Sequence, residues 1–442
     1  MTAITEEKKN IPAEATVKGQ KQKFKKKLLI FAHYYYPDVA STGQLLKDQA
    51  EGMLDEFEVT VICTVPSYTG IIEDKYKTKK YYFEDINGVK VIRVRVPEFT
   101  KTKKHSRMVN IICYFFRALI AACKSGKQDY VFTISQPPIL GGILGVCGKW
   151  LKRAKLIYSI QDYNPEQVMA VKYLNNKLIL KFMMMLDKFS CKSAAKVIVV
   201  GSDMVPTMTK RFTNKNGKVS HRLPKTVFIN NWMDDREIYP LASNNERVLA
   251  FKKQYGLEDK FVIMYSGNIG LYYDLENLIK VIEKFKDRED VVFPFIGAGS
   301  KKDDLEAYVK EHNMKNVVFI PYQPKEDLIY SLNAADVHWV VNAEGIKGVS
   351  CPSKLYGVLA VAKPVLAVLE KGVEARDIVE KTECGYAVSP KDYDGVEKLI
   401  ENFISTDKDK LSEIGNRGYD YMKHNLTREI SINKYINEIQ SC

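Results

Sequence analysis

Short runs of β-branched and aliphatic residues alternate with helix-periodic segments from residue 27 almost to the end of the chain. That alternation restricts it to an α/β architecture of parallel strands joined by crossover helices. In the first half the runs fall at 28–32, 59–65, 89–96, 130–135, 155–160 and 197–200; in the second at 261–265, 291–296, 317–320, 337–341, 365–368 and 386–388. Most are apolar throughout, the pattern of strands covered on both faces. The polar segment 231–246, interrupted by Pro240, separates the two series. The expectation is therefore two doubly wound domains, 27–230 and 247–415, with a basic arm at 1–26 and a closing helix at 416–442. At 442 residues and 45% hydrophobic content the chain can fill both cores.

The net charge of +13 is concentrated: residues 1–30 carry +5 and residues 101–128 carry +7 without one acid. In the second block Lys101, Lys103, Lys104, Arg107 and Arg117 interleave with Met108, Phe115, Phe116 and other apolar residues at near-helical spacing. Such a segment suits an anionic membrane surface; it also suits a core helix with a solvated basic rim. No nucleic-acid module accompanies the charge, so nucleic acid is not expected as a partner. The arm has no apolar signal region, and the apolar runs at 111–123 and 137–148 are shorter than a bilayer requires, so no spanning segment is expected. Eight cysteines and six histidines are scattered singly, which predicts reduced thiols and no structural metal.

Ligands of open α/β sheets bind beyond the carboxyl ends of the strands, and the loops there carry the candidate site. The segment 348–365 reads as a loop, a short helix from Ser353 and a buried strand. Backbone amides at the helix start and Lys354 would hold an anion; the alternative is a core helix with an idle lysine. Gly267-Asn268-Ile269-Gly270 and Gly297-Ala298-Gly299 each follow a strand, where glycine lets backbone approach a phosphate or simply makes a turn. Tyr322 follows another strand and can flank a base. In the first half Asp162 can orient a hydroxyl or cap the next helix, and His33 can bond a sugar or phosphate or be structural. Gly43 would let its loop approach a substrate, or make a turn. Asp392-Tyr393-Asp394 and Asp407-Lys408-Asp409 match a metal-clamping pattern formally but sit in polar late segments, and read as solvated surface.

The Tyr34-Tyr35-Tyr36-Pro37-Asp38 opening with Gly43, the Val65-Pro66-Ser67-Tyr68 loop, Gln161-Asp162, Asn231-Trp232-Met233-Asp234, Tyr265-Ser266-Gly267-Asn268, Gly297-Ala298-Gly299 and Pro352-Ser353-Lys354-Leu355-Tyr356 occur in an order that resembles the retaining GT-B glycosyltransferases of family 4. The fucosamine-transferase branch of surface-polysaccharide synthesis is the nearest match. The resemblance implies two Rossmann-like domains facing a cleft, a nucleotide sugar held mainly by the second, and an acceptor approaching the first. It implies no metal and no cofactor, the nucleotide sugar being a substrate. Many relatives carry a Glu-x7-Glu pair on the donor; here those sites are Val349 and Gly357. Cations that often follow the Ser-Gly turn are missing too, the sequence reading Leu271-Tyr272-Tyr273. Lys354, with Lys347, is then the expected diphosphate cation, and Glu374 the substitute ribose partner. The implied activity is sugar transfer from a nucleotide-diphosphate sugar, with UDP the expected nucleotide, to a polyprenyl-linked glycan, at the cytoplasmic face of the membrane. A GT-B nucleotide-sugar epimerase and a non-catalytic partner in an assembly complex are the alternatives.

Overall fold

The computed structural model describes residues 25–38, 41–100 and 103–442, so nearly all of the basic arm, and Lys101, lie outside the described residues. The first domain begins with β1 (Lys26–Phe31), α1 (Ser41–Gly52), β2 (Phe57–Thr64), β3 (Tyr81–Ile86), β4 (Val89–Val94), α2 (Lys104–Lys124) and β5 (Tyr130–Ile134). It continues with α3 (Leu140–Lys152), β6 (Lys155–Ile160), α4 (Glu166–Ala170), α5 (Lys177–Ser193), β7 (Lys196–Val199), α6 (Met204–Arg211) and β8 (Thr226–Phe228). The second domain holds α7 (Glu246–Gln254), β9 (Phe261–Ser266), α8 (Leu275–Glu283), β10 (Val291–Ile296), α9 (Lys302–Glu311), β11 (Val317–Ile320), α10 (Leu328–Asn333) and β12 (Val337–Val341). Then follow α11 (Lys354–Ala360), β13 (Val365–Val368), α12 (Glu374–Thr382), β14 (Gly385–Val388), α13 (Tyr393–Ser405), α14 (Lys408–Asn425) and α15 (Arg428–Gln440).

Two sheets result, in the orders β3-β4-β2-β1-β5-β6-β7-β8 and β11-β10-β9-β12-β13-β14. Every pair is parallel except β3 with β4. That antiparallel edge was legible: Asn87-Gly88, both at positive φ, make the tight hairpin turn between two strand-like runs. The strand order reverses between β1 and β5 and again between β9 and β12, and these switch points open the crevices where ligands bind. Leu28, Leu29 and Ile30 of β1 are fully buried, each side chain contributing about 1.5–3 kcal/mol.

The end of the chain corrects the expected division at 415/416. α14 runs straight through it, and α15 returns to the first domain, where Ile432, Tyr435, Ile436 and Ile439 join the core formed by β1, β2 and α1. Buried Lys196 fixes the strap by donating to Ser441 Oγ at 2.7 Å and to Glu438.

At 21 residues α2 exceeds the apolar run visible in the sequence, and by length and composition it is apolar enough to cross a bilayer. Its inner face is nevertheless committed to the domain core through Tyr114, Ala118, Ala121 and Ala122, spaced for one helical stripe. Phe115 also packs on that core, and the Arg117 guanidinium is tied to the Arg95 carbonyl. Lys103, Arg107 and Phe116 remain exposed.

Candidate active site

The two switch-point edges meet across a cleft. Tyr163 N donates to Val349 O at 2.8 Å, and Asp162 pairs with Ser350 as an isolated antiparallel bridge. The Ser350 hydroxyl donates to Asp162 Oδ1. Asp162 lies two residues beyond the apolar strand β6, so its carboxylate is held at the sheet edge, and burial pushes its pKa up. It is not a helix cap: the contact it makes is across the cleft.

Lys354 approaches the same place from the other domain. Its Nζ lies 3.6 Å from the ring centre of Tyr273 and 5.1 Å from that of Tyr265. Among the described residues no carboxylate pairs with it, and burial alone lowers its pKa to about 7. The aromatic faces stabilise the ammonium only in part, by about 0.5–2 kcal/mol. Tyr273 also lies near Asp162 and Asn268. Tyr272 and Tyr273 therefore occupy the ground where the resembled family often has cations, and sequence reasoning, which noted the departure, gave them no role. Ser350 was missed as well, since a lone serine beside Cys351 carries no pattern.

The helix-start amides do not form the expected anion cradle. α11 is only seven residues long, and Ser353 has helical backbone angles and makes no side-chain cap. Ser353, Leu355 and Tyr356 amides are spent on Cys351, Pro352 and Ser353 carbonyls. Pro352, which opens this turn, is buried.

The glycine turns serve packing. A Cβ on Gly267 would lie 2.5 Å from Lys354 Cε, so this glycine makes room for the lysine. Gly267 N is already spent on Ile296 O, and Gly297 N on Ile320 O. A Cβ on Gly297 would overlap the Gly267 carbonyl, and one on Gly299 the Ile269 carbonyl. Gly297 also has φ of +142°, a conformation closed to other residues. Gly297→Ala is expected to cost about 1–3 kcal/mol, read as a lowered midpoint in thermal unfolding. Tyr322 is half exposed against this turn, its hydroxyl bonded to the Ala298 amide, and it faces Tyr68 across the cleft.

Four expected site residues lie elsewhere. His33 is buried between Tyr34 and Tyr114, and burial lowers its pKa to about 4, so the ring is neutral, stacked among aromatic side chains and set back from the cleft contacts of Asp162 and Lys354. Gly43 sits inside α1, where a Cβ would press on the Tyr34 backbone at 3.2 Å; it serves helix packing. Lys347 donates to the Lys371 carbonyl on the exposed side of its loop. Glu374 is buried across the domain boundary, accepting from Asn230 Nδ2 at 2.7 Å and Ser202 N at 3.0 Å. It latches the two domains instead of facing a ribose.

The positions of the absent carboxylates are also filled. Val349 is packed with Tyr163 and Val199, and a Cβ on Gly357 would stand 3.0 Å from Met233 Cε. Asp392 and Asp407, the first residues of the two Asp-x-Asp matches, cap α13 and α14 by accepting from Gly395 N and Lys410 N.

Residues 249–421 match the sequence profile of the family described as glycosyl transferases group 1. A Pseudomonas aeruginosa protein bearing the name glycosyltransferase WbjE is 26% identical over 350 residues, covering 76% of this chain and 82% of the relative. A protein of Escherichia coli K12 bearing the name colanic acid biosynthesis glycosyl transferase WcaI is 25% identical over 423 residues, covering 94% and 100%. Among solved structures, Anabaena HepE in complex with UDP-glucose superposes with a TM-score of 0.66 at 15% identity, covering 94% of this chain and 99% of that one. The two-domain architecture is the GT-B fold.

Proposed function

We propose that the protein is a retaining, metal-independent glycosyltransferase that moves a sugar from a UDP-linked donor to a polyprenyl-linked glycan at the cytoplasmic face of a membrane. The observation that carries this reading is Lys354: a half-buried cation with no carboxylate partner among the described residues, at the switch point of the second domain, across the cleft from the half-buried carboxylate of Asp162. A buried charge without a partner is costly to the folded chain, and a departing diphosphate would supply the missing partner. The group 1 profile over the second domain, the names of WbjE and WcaI and the UDP-glucose bound by HepE support the donor class. In this reading Lys354 neutralises the leaving diphosphate, Tyr322 flanks the base, Asn268 and the glycine turns shape the donor floor, and Asp162 accepts a hydrogen bond from the attacking hydroxyl. Closure of the domains excludes water from the transfer.

The test incubates the full chain with individual nucleotide sugars and membrane extract containing polyprenyl-linked glycans. Expected is a lipid product heavier by one sugar residue, of retained anomeric configuration by NMR, formed equally well in chelator. Donor consumption that needs no acceptor would instead indicate epimerisation, and binding without turnover a non-catalytic role.

Donor binding should depend on pH through Lys354. The diphosphate binds the protonated lysine, and in the empty site that form is lost as pH rises through about 7. UDP-glucose affinity is therefore expected to be flat below pH 6 and to fall about tenfold or more between pH 7 and 8.5, with proton uptake in calorimetry.

A further inference from the structure

Three helices lie side by side on one face of the first sheet: α2, α3 and α5. The sequence pointed only to α2. α5 presents a second apolar stripe, Leu178, Phe182, Met185 and Phe189, at helical spacing and directed to solvent, with Leu178 79% exposed. α2 presents Met108, Ile112, Phe116 and Ile120 in the same manner. Between them Trp150 of α3 is 60% exposed and meets the Phe189 ring edge-on at 6.1 Å. Scattered apolar side chains are ordinary on a protein surface; two exposed apolar stripes on helices flanking one exposed tryptophan are not.

Charge identifies the occupant. On the three helices together the one acid is Asp187, which is buried and bonded to Arg211, whereas Lys177, Lys181 and Lys192 project from α5. α9 and α13 of the second domain, by contrast, carry several acids each. A face that is apolar along its ridges, cationic along its rims and free of exposed carboxylates complements an anionic bilayer, with tryptophan at the depth of the headgroups.

We propose that α2, α3 and α5 form one seating surface for an anionic lipid bilayer, with α5 entering the headgroup region alongside α2. The surface leads to the cleft. Chain-adjacent to α5, Met169 and Tyr173 are exposed, and Tyr173 lies close to Tyr272 beside Asp162. Seated this way, the segment 169–178 sets the cleft mouth against the lipid surface, so a lipid-linked acceptor reaches Asp162 without leaving the bilayer. This rests on the acceptor reading above for its purpose, and on the helical face alone for its physics.

The protein's three tryptophans make the test specific, because Trp232 and Trp339 are buried in the cores and Trp150 is not. Full-length protein is mixed with vesicles of phosphatidylcholine, alone or with phosphatidylglycerol, in the absence of any nucleotide sugar. Expected with the anionic vesicles are a blue shift of emission and quenching by brominated acyl chains, both lost in Trp150→Phe. Leu178→Ser/Phe182→Ser and, separately, Lys177→Glu/Lys181→Glu should each weaken vesicle partition about tenfold while leaving the thermal midpoint in place. Transfer to a short-chain acceptor in detergent should survive both changes; its loss from the unmodified protein would count against the transferase and leave the seating surface intact. Absence of the blue shift, unchanged partition in both α5 variants, or a lipid-free dimer dissociated by the same substitutions would overturn the proposal.

Discussion

Replacing Lys354 with Met is expected to abolish measurable UDP-sugar binding and, at the same time, to raise the thermal midpoint of the empty protein. The opposite signs follow from one fact. Folding buries this ammonium among Tyr265, Tyr273 and the Gly267 turn without a counter-charge, so its pKa falls to about 7 from the ordinary lysine value of 10.5. A group whose folded pKa is depressed in this direction opposes folding whenever the unfolded chain holds the proton. The penalty is fully present below about pH 7, shrinks between there and 10.5, and vanishes above. Methionine keeps the stem and discards the charge. Its stabilisation should therefore be largest near pH 6, still close to that maximum at pH 7, and nearly absent above pH 10, read as a rise of several degrees in midpoint at neutral pH. Binding must move the other way, because removing the partner of a diphosphate costs at least two orders of magnitude in Kd, about 3 kcal/mol. Calorimetric melting and a UDP-glucose titration on the same preparation check both signs. A lysine that merely packs would lower the midpoint on replacement and leave the titration unchanged.

Asp162→Asn should leave nucleotide binding within about twofold and reduce the transfer rate by about 10²–10⁴-fold, the range typical of losing a proton-accepting or hydroxyl-orienting group. The carboxylate sits at the end of β6 with its Oδ1 bonded to the Ser350 hydroxyl and Tyr272 and Tyr273 nearby. Asparagine reproduces the shape and one acceptor oxygen but cannot take the negative charge. The serine offers the control. If the pair only holds the domains together, Ser350→Ala and Asp162→Asn will lower kcat by similar factors, with KM rising in both. If Asp162 addresses an acceptor hydroxyl, Ser350→Ala will leave kcat within a fewfold and only the aspartate change will be severe. Single-turnover rates with saturating donor separate the two outcomes.

All twelve expected strands form, because a run such as Leu28-Leu29-Ile30-Phe31 can bury both faces only inside a covered parallel sheet. β3 was overlooked although Asn87-Gly88 announced its turn, and β8, at three residues, is too short for any pattern to mark it. The candidate site was less legible. Lys354 and Asp162 were candidates because each lies in a loop beyond a strand end, a position that the order of elements alone prescribes, and the structure brings both to Tyr273. His33, Gly43, Lys347 and Glu374 also sit in such loops, yet their directions depend on side-chain partners far along the chain: Tyr114 for His33, Lys371 for Lys347, Asn230 and Ser202 for Glu374.

What the linear order of residues settled, then, is everything carried by local periodicity: the α/β alternation, the two series of strands, and the amphipathic α2, because hydrophobic spacing over a few turns is enough to dictate which side is covered. What only the packed chain decided is the order of strands in each sheet, where α15 docks, that Tyr273 rather than a carboxylate lies beneath Lys354, and that α5 bares its stripe next to α2. Those outcomes turn on contacts between segments tens to hundreds of residues apart, whose free energies are fixed by three-dimensional complementarity and leave no periodic trace in sequence.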